Sequence, residues 1–458
     1  MFDALVIGGG IGGLSAAWEL RDRNILLLEA SERLGGRIKT ESCGDYWLNF
    51  GAHLFPPPDS HTGKLVTELG LETHQLPGCL AGMSINNSVV STGRIETYPF
   101  RLTLSLRGRF SLVKAGLKLK RALAGYIDAA TPRAGDTLAD ARLRGLAYMG
   151  DISFAEFLGD VAPEVRALFA AEVARVTATL EDTAAGSGIA HFAVAMSGLE
   201  SYARNLPGGS GLLIEALARE LGAVIRTESK VEEVVTGDES VTVKVRTRDS
   251  YEVLESRYAV VATPAYTSAE IVKTLPEDTA DALRTIPYGP FIVAGILTNE
   301  SSAKPWDDLY TMLVADKSFN VFSNQANVLR GPGQPRRPGG SLMLYSGGPK
   351  AAPLWNLDDE QITERYLKDI EAIFPGIGTI VEEVQIQRWE NAIPYLPPGR
   401  HNLQAALEKP LGRLFLAGDY FDHPAMDGSV VPAVEGAREI RRQLESNHSF
   451  SSPSRQED

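Results

Sequence analysis

The chain has 458 residues, a formal charge of −13, and 44% hydrophobic against 22% charged residues. That length fits two or three ordinary units with sizeable cores, and the acidic balance argues against a general nucleic-acid binder. Its two cysteines, Cys43 and Cys79, form no C-x-x-C pair and no metal framework, so no metal is expected and a reducing, cytoplasmic setting is the simpler assumption.

The N-terminus reads as strand, glycine turn, helix, strand. Asp3–Gly8 is a continuous apolar run, as in a parallel strand covered on both faces, and leaves no room for a cleavable leader. Ile11–Leu20 has apolar residues at helical spacing, and Asn24–Ala30 is a second buried strand. From Thr97 to Ile127 the chain carries Arg101, Arg107, Arg109, Lys114, Lys118, Lys120 and Arg121 and no acid. Lys114, Lys118 and Arg121 share one helical face, and Leu112, Leu119 and Leu123 another. This segment could touch anionic lipid or draw in a carboxylated substrate; a solvated helix face is the plain alternative. Ser153–Leu180 reads as helices, and Gly211–Leu221 as a helix stopped by Gly222. Strands are expected at Val231–Val235, Val241–Arg246 and Arg257–Pro264, then at Val293–Leu297, Leu342–Tyr345 and Val384–Trp389 in a second sheet. Gly412–Asp419 is a last buried strand, followed by a helix from about Val430 to Leu444. The longest apolar runs, such as Phe291–Leu297, are too short to span a bilayer.

Gly8-x-Gly10-x-x-Gly13 follows a strand and opens a helix. The first glycine permits a tight turn, the second lets a pyrophosphate approach the backbone, and the third lets helix and strand pack closely. The helix N-terminus presents free N–H groups to phosphate. Glu29 stands about twenty residues on, at the end of the second strand, where a carboxylate accepts from ribose hydroxyls. This pattern alone permits NAD or FAD. Arg33, Gly35, Gly36 and Arg37 follow directly; two adjacent glycines let a backbone pass a bulky extended ligand, and an arginine adds a charge-assisted contact.

Glu29-Ala30-x-x-Arg33-x-Gly35-Gly36-Arg37 after such a start resembles the flavin-containing amine oxidase superfamily, which includes monoamine oxidases, protoporphyrinogen oxidases and phytoene desaturases. Asn49–Phe55, Ser229–Val234 and Leu414–Ala437 match further family segments in order. The resemblance implies an α/β fold: a Rossmann-like FAD-binding domain of the GR2 flavoprotein type, with an inserted α+β substrate domain. The expected pieces are 1–85, 206–288 and 388–446 for FAD, 86–205 and 289–387 for substrate, and a disordered tail at 447–458. It implies that Gly51, Ala52 and His53 lie against the flavin ring, that Val231 brackets the adenine, and that Gly418 and Asp419 serve the ribitol or pyrophosphate. The helix N-terminus at Ser429 and Val430 would face the pyrimidine end, with Ile11 and Thr263 also among the FAD contacts. The early positions of both cysteines point to non-covalent FAD. Leu206–Leu213 is glycine-rich but follows a proline rather than a strand, so electrons are expected to pass to oxygen or another acceptor.

Two amine-oxidase hallmarks are missing: the lysine position falls on Val293, and one member of the aromatic pair on Ser429. Arg388–Gly399 and the C-terminal motif are closer to the protoporphyrinogen oxidase and phytoene desaturase branch. Trp389 and Tyr395 are therefore candidate aromatic walls, with packing as the equal alternative. His53 is a candidate hydrogen-bond donor to the flavin or a satisfied turn histidine; Asp427 is expected to cap a helix. The expected function is removal of a hydride equivalent from a largely apolar small molecule. An atypical amine oxidase and a redox-neutral flavin isomerase are the alternatives.

Overall fold

The computed structural model describes residues 1–192, 204–248, 250–331 and 335–449. The first strand, β1 (Phe2–Ile7), pairs in parallel with β2 (Ile25–Leu28) on one side and with Tyr251–Val261 on the other. Its side chains alternate between two cores, Ala4 and Val6 in one, Leu5 and Ile7 in the other. That is why the run is apolar without a break. Helix α1 (Ile11–Glu19) and a C-terminal helix, Met426–Ser449, cover the first face; Ala265–Ile271 and Glu277–Thr285 cover the second. The sheet runs Lys230–Thr236, Val241–Arg246, Tyr251–Val261, β1, β2, Ile225–Arg226, with Leu414–Leu416 also paired to Tyr251–Val261.

A second sheet runs Val381–Pro394, Tyr288–Thr298, Gly340–Gly347, Val321–Asn324, Thr311–Val314, Gly82–Ile85, Ser88–Val90. One face packs Ile292, Ala294 and Ile296 with Ile362, Tyr366 and Ile370 of the helix Asp359–Ile373. The opposite face turns Phe291, Val293 and Tyr345 toward Leu48 and Phe50. A helical group, including Leu106–Ala130, Phe154–Leu158, Pro163–Val173 and Ala185–His191, packs around Phe154, Phe157 and Phe169.

Several boundaries differ from the sequence reading. Gly82–Ile85, expected with the first FAD piece, is a strand of the second sheet. The cut expected before 388 falls inside Val381–Pro394, because residues of this long strand on both sides of it stay paired to Tyr288–Thr298. The C-terminal helix begins at Met426, before Val430, and continues to Ser449, past its expected end at about Leu444 and past 446, where the last FAD piece was expected to stop. Residues 450–458, the rest of the expected tail, lie outside the described residues. Among the described residues no helix is long and apolar enough to cross a membrane.

Candidate active site

A cavity of about 2260 Å³ extends from the turn after β1 to the inner face of the second sheet. Ordinary small-molecule pockets occupy roughly 300–1,000 Å³, so this one has room for a dinucleotide and a second molecule.

At the first end, Gly8 has φ +104°, and a Cβ there would lie 2.7 Å from the Ala262 carbonyl oxygen. A Cβ on Gly13 would lie 1.9 Å from the Gly8 carbonyl oxygen. Gly13 is not in the cavity wall; its lack of a side chain is what lets α1 close on β1. Gly10 is different. It caps α1 without a side chain to satisfy the first N–H groups, and a Cβ there would meet nothing within 4 Å. Those N–H groups, with Ile11 beside them, border the cavity. Glu29 is held by Gly9 N–H on one oxygen at 2.7 Å and by the Ser31 N–H and hydroxyl on the other at 2.8 and 2.7 Å. Backbone bonds from Glu29 to Arg226 and from Ser229 to Glu29 bring Val231 to the same end of the cavity, with Ala30 nearby.

Gly35 and Gly36 have φ +98° and +54°, and Gly35 N–H donates to the Gly9 carbonyl at 2.8 Å, so this loop lies directly on the glycine turn. The Arg33 guanidinium is spent on the carbonyls of Leu34, Gly36 and Ile38, holding the loop's shape. Arg37 reaches across the chain. It donates to both Asp419 carboxylate oxygens at 2.8 and 2.9 Å and to the Ala392 carbonyl at 2.8 Å. Burial opposes its charge, but Asp419 prevails and holds the guanidinium's pKa above its ordinary value. A Cβ on Gly51 would lie 1.9 Å from the Arg37 carbonyl oxygen, and Ala52 N–H donates to that oxygen at 3.1 Å. Thr263, Gly418 and Ser429 also line the cavity.

The other end is a largely apolar chamber whose walls include Phe192, Phe291, Val293, Leu313, Val321 and Tyr345. Val293 is 1% exposed and stands across the strands from Tyr345 and Gln387, whose side chain accepts from Lys39 Nζ at 2.8 Å. His53 stacks on Tyr345, with ring centroids 5.5 Å apart. Burial lowers its pKa from 6.5 to about 4, against the pull of a hydrogen bond to the Gly51 carbonyl. That carbonyl only accepts, so the neutral ring carries its proton on Nδ1, 3.0 Å away, and Nε2 is an acceptor. The hydrogen-bond donor expected of His53 is therefore already committed. Trp389 lines the chamber and donates Nε1–H to the Phe50 carbonyl at 2.8 Å, which fixes the strand leading to Gly51.

Tyr395 is not brought to the cavity wall: its strand ends at Pro394, and its own N–H pairs with the Pro287 carbonyl. Val430 is also absent from the wall, because it faces the core at 1% exposure from within the helix. Asp427 does act as a cap, but for a neighbour. Its carboxylate accepts from Thr62 N–H at 2.8 Å at the start of the helix His61–Glu68.

Sequence reasoning missed Glu172, Arg175 and His191, which all line the chamber. Glu172 and Arg175 pair at 3.3 Å. Burial lowers the His191 pKa from 6.5 to about 3. The available signal was the charge of Glu172 and Arg175 inside the apolar run Ala167–Val176. The turn carrying Arg175 is locked by Thr177, whose φ of +66° is rare for a β-branched residue, and by close approach to Gly289, Gly347 and Gly348.

These residues fit FAD. The uncapped helix end and the open face of Gly10 suit phosphates, and the backbone-held carboxylate of Glu29 suits ribose hydroxyls. No group of three His, Cys, Asp or Glu side chains suited to a metal occurs among the described residues. The model of the family "Flavin containing amine oxidoreductase" matches residues 11–441. The chain is 27% identical to flavin-containing amine oxidase A of Bos taurus, over 97% of this chain and 86% of that protein. It is 26% identical to coproporphyrinogen III oxidase of Mycobacterium bovis, over 94% of each. The solved structure of cyclohexylamine oxidase from Brevibacterium oxydans shares the fold, with a TM-score of 0.77, 20% identity, and coverage of 97% and 99% of the two chains. The chain belongs to the flavin-containing amine oxidoreductase family: it is an FAD-dependent oxidoreductase, acting on a small molecule with the help of an electron acceptor.

Proposed function

We propose that the chain holds FAD non-covalently and removes a hydride equivalent from a largely apolar small molecule, as a desaturase or oxidase. What supports this reading is the largely apolar wall of the chamber at the far end of the cavity, with Val293 at the position where the sequence resemblance would put an amine oxidase's lysine. In this assignment Gly8, Gly10, Ile11 and the Gly35–Gly36 turn take the pyrophosphate, Glu29 the adenosine ribose and Val231 the adenine. Gly51, Ala52 and His53 border the ring, with Gly418, Asp419 and the first turn of the C-terminal helix around its ribityl chain and pyrimidine end. That helix end also favours negative charge at the pyrimidine. Bound FAD supplies the acceptor for the hydride equivalent. The protein's part is to orient a C–H bond and exclude water, which Phe192, Phe291, Val293 and Val321 do by their bulk. Oxygen or another electron acceptor would take the electrons onward.

The test is anaerobic bleaching of the flavin band against porphyrinogens, polyenes, cyclic amines and simple amines. Bleaching by an apolar C–H donor and not by simple amines is expected. Preferential bleaching by a primary amine would replace the reading with the amine oxidase one, which the likeness to amine oxidase A supports. Turnover that requires prior flavin reduction, with no net electron transfer, would make the protein an isomerase.

A further inference from the structure

The helix Leu106–Ala130 is apolar on two opposite faces. Ala115, Leu119, Ala122 and Leu123 are buried against the helical group. With about 3.6 residues per turn, Leu106, Phe110, Val113 and Leu117 form a stripe on the reverse side. Leu106 is 75%, Phe110 77% and Leu117 56% exposed. One exposed leucine needs no explanation, but an aligned outward stripe does. Cations border it on both sides: Arg107, Lys114 and Arg121 on one, Arg109 and Lys120 on the other. Lys114 and Arg121 make no ion pair or hydrogen bond among the described residues. The whole chain carries −13, yet no acid lies between Thr97 and Ile127.

We infer that this face seats on an anionic bilayer surface, with the Leu106–Phe110–Leu117 stripe at the acyl boundary and the flanking cations among the headgroups. A second copy of the chain would set these cations against one another, and a nucleic acid would leave the stripe unused. The cavity reaches the surface beside this face. Arg94 and Glu96 both line it, Arg94 is 83% exposed, and Lys120 stands 3.9 Å from Glu96. A lipid-dissolved molecule would thus find the cavity mouth next to the bilayer.

The test is co-sedimentation of the FAD-loaded protein with vesicles of phosphatidylcholine alone or of equal parts phosphatidylcholine and phosphatidylglycerol. Binding to the anionic vesicles only, weakening with salt, is expected. Lys114→Ala with Arg121→Ala should weaken it roughly thirtyfold, and Phe110→Ser with Leu117→Ser should abolish it. Retained flavin absorbance shows that each variant is folded. Absence of vesicle binding, equal binding to both lipids, or indifference to both variants overturns the proposal. So does a dimer in sedimentation velocity that the serine variants dissolve. Vesicle binding is read without turnover, so it stands or falls apart from the substrate assignment.

Discussion

Arg37 links residues far apart in the chain, and its partner could not be read from the sequence. The Gly35–Gly36–Arg37 run pointed to a ligand, but the guanidinium is engaged bidentately by Asp419, which is 6% exposed. Arg37 is one-third exposed, so its removal, which leaves the buried Asp419 carboxylate unpaired, should cost less than the roughly 3–5 kcal/mol of a fully buried pair. Arg37→Ala should therefore lower the denaturation midpoint of the flavin-free chain, as well as its affinity for FAD. Arg37→Ala combined with Asp419→Asn should recover part of the stability, measured by urea unfolding. Glu29 was easier to see because its hydrogen bonds are to Gly9 and Ser31, set by the local strand–turn geometry. Tyr395 lies off the cavity wall, with its N–H paired to the distant Pro287 carbonyl, a tertiary contact. No periodicity carries that information.

The strand–turn–helix at the N-terminus was almost fully readable, since apolar runs and glycine spacing are local signals. Its glycines nonetheless do different jobs, and substitution should separate them. At Gly13 a methyl group would run into the Gly8 carbonyl, so Gly13→Ala should prevent folding of the domain. At Gly10 a methyl would meet only open space at φ −73°, so Gly10→Ala should fold with an apo-protein melting temperature near wild type. Its FAD affinity, measured by flavin fluorescence titration, should fall because the methyl occupies the ligand's approach. Ends of elements were the less readable part. The C-terminal helix starts early at Met426, where Asp427 caps the helix His61–Glu68, a tertiary contact that a capping pattern cannot announce.

Across the molecule, two neutral histidines border one chamber, and both make the fold sensitive to acid. His53 takes its proton at about pH 4 in the folded state instead of 6.5, and His191 at about 3. The unfolded chain therefore binds more protons as the pH falls below 6.5, so the stabilisation is complete above that value and is lost as the pH drops toward these folded values. The urea midpoint of the flavin-free chain should decline over this window, and His53→Asn should flatten the upper part of the decline. Order of assembly follows from the pairing of Arg37 with Asp419 and the packing of Gly12 against the Ser429 carbonyl, 3.0 Å from where a Cβ would stand. Segments 382 residues apart in sequence must meet before the site is complete. Such distant contacts slow folding, and a nascent chain that stops short of Asp419 would leave the glycine turn formed but unable to retain its flavin.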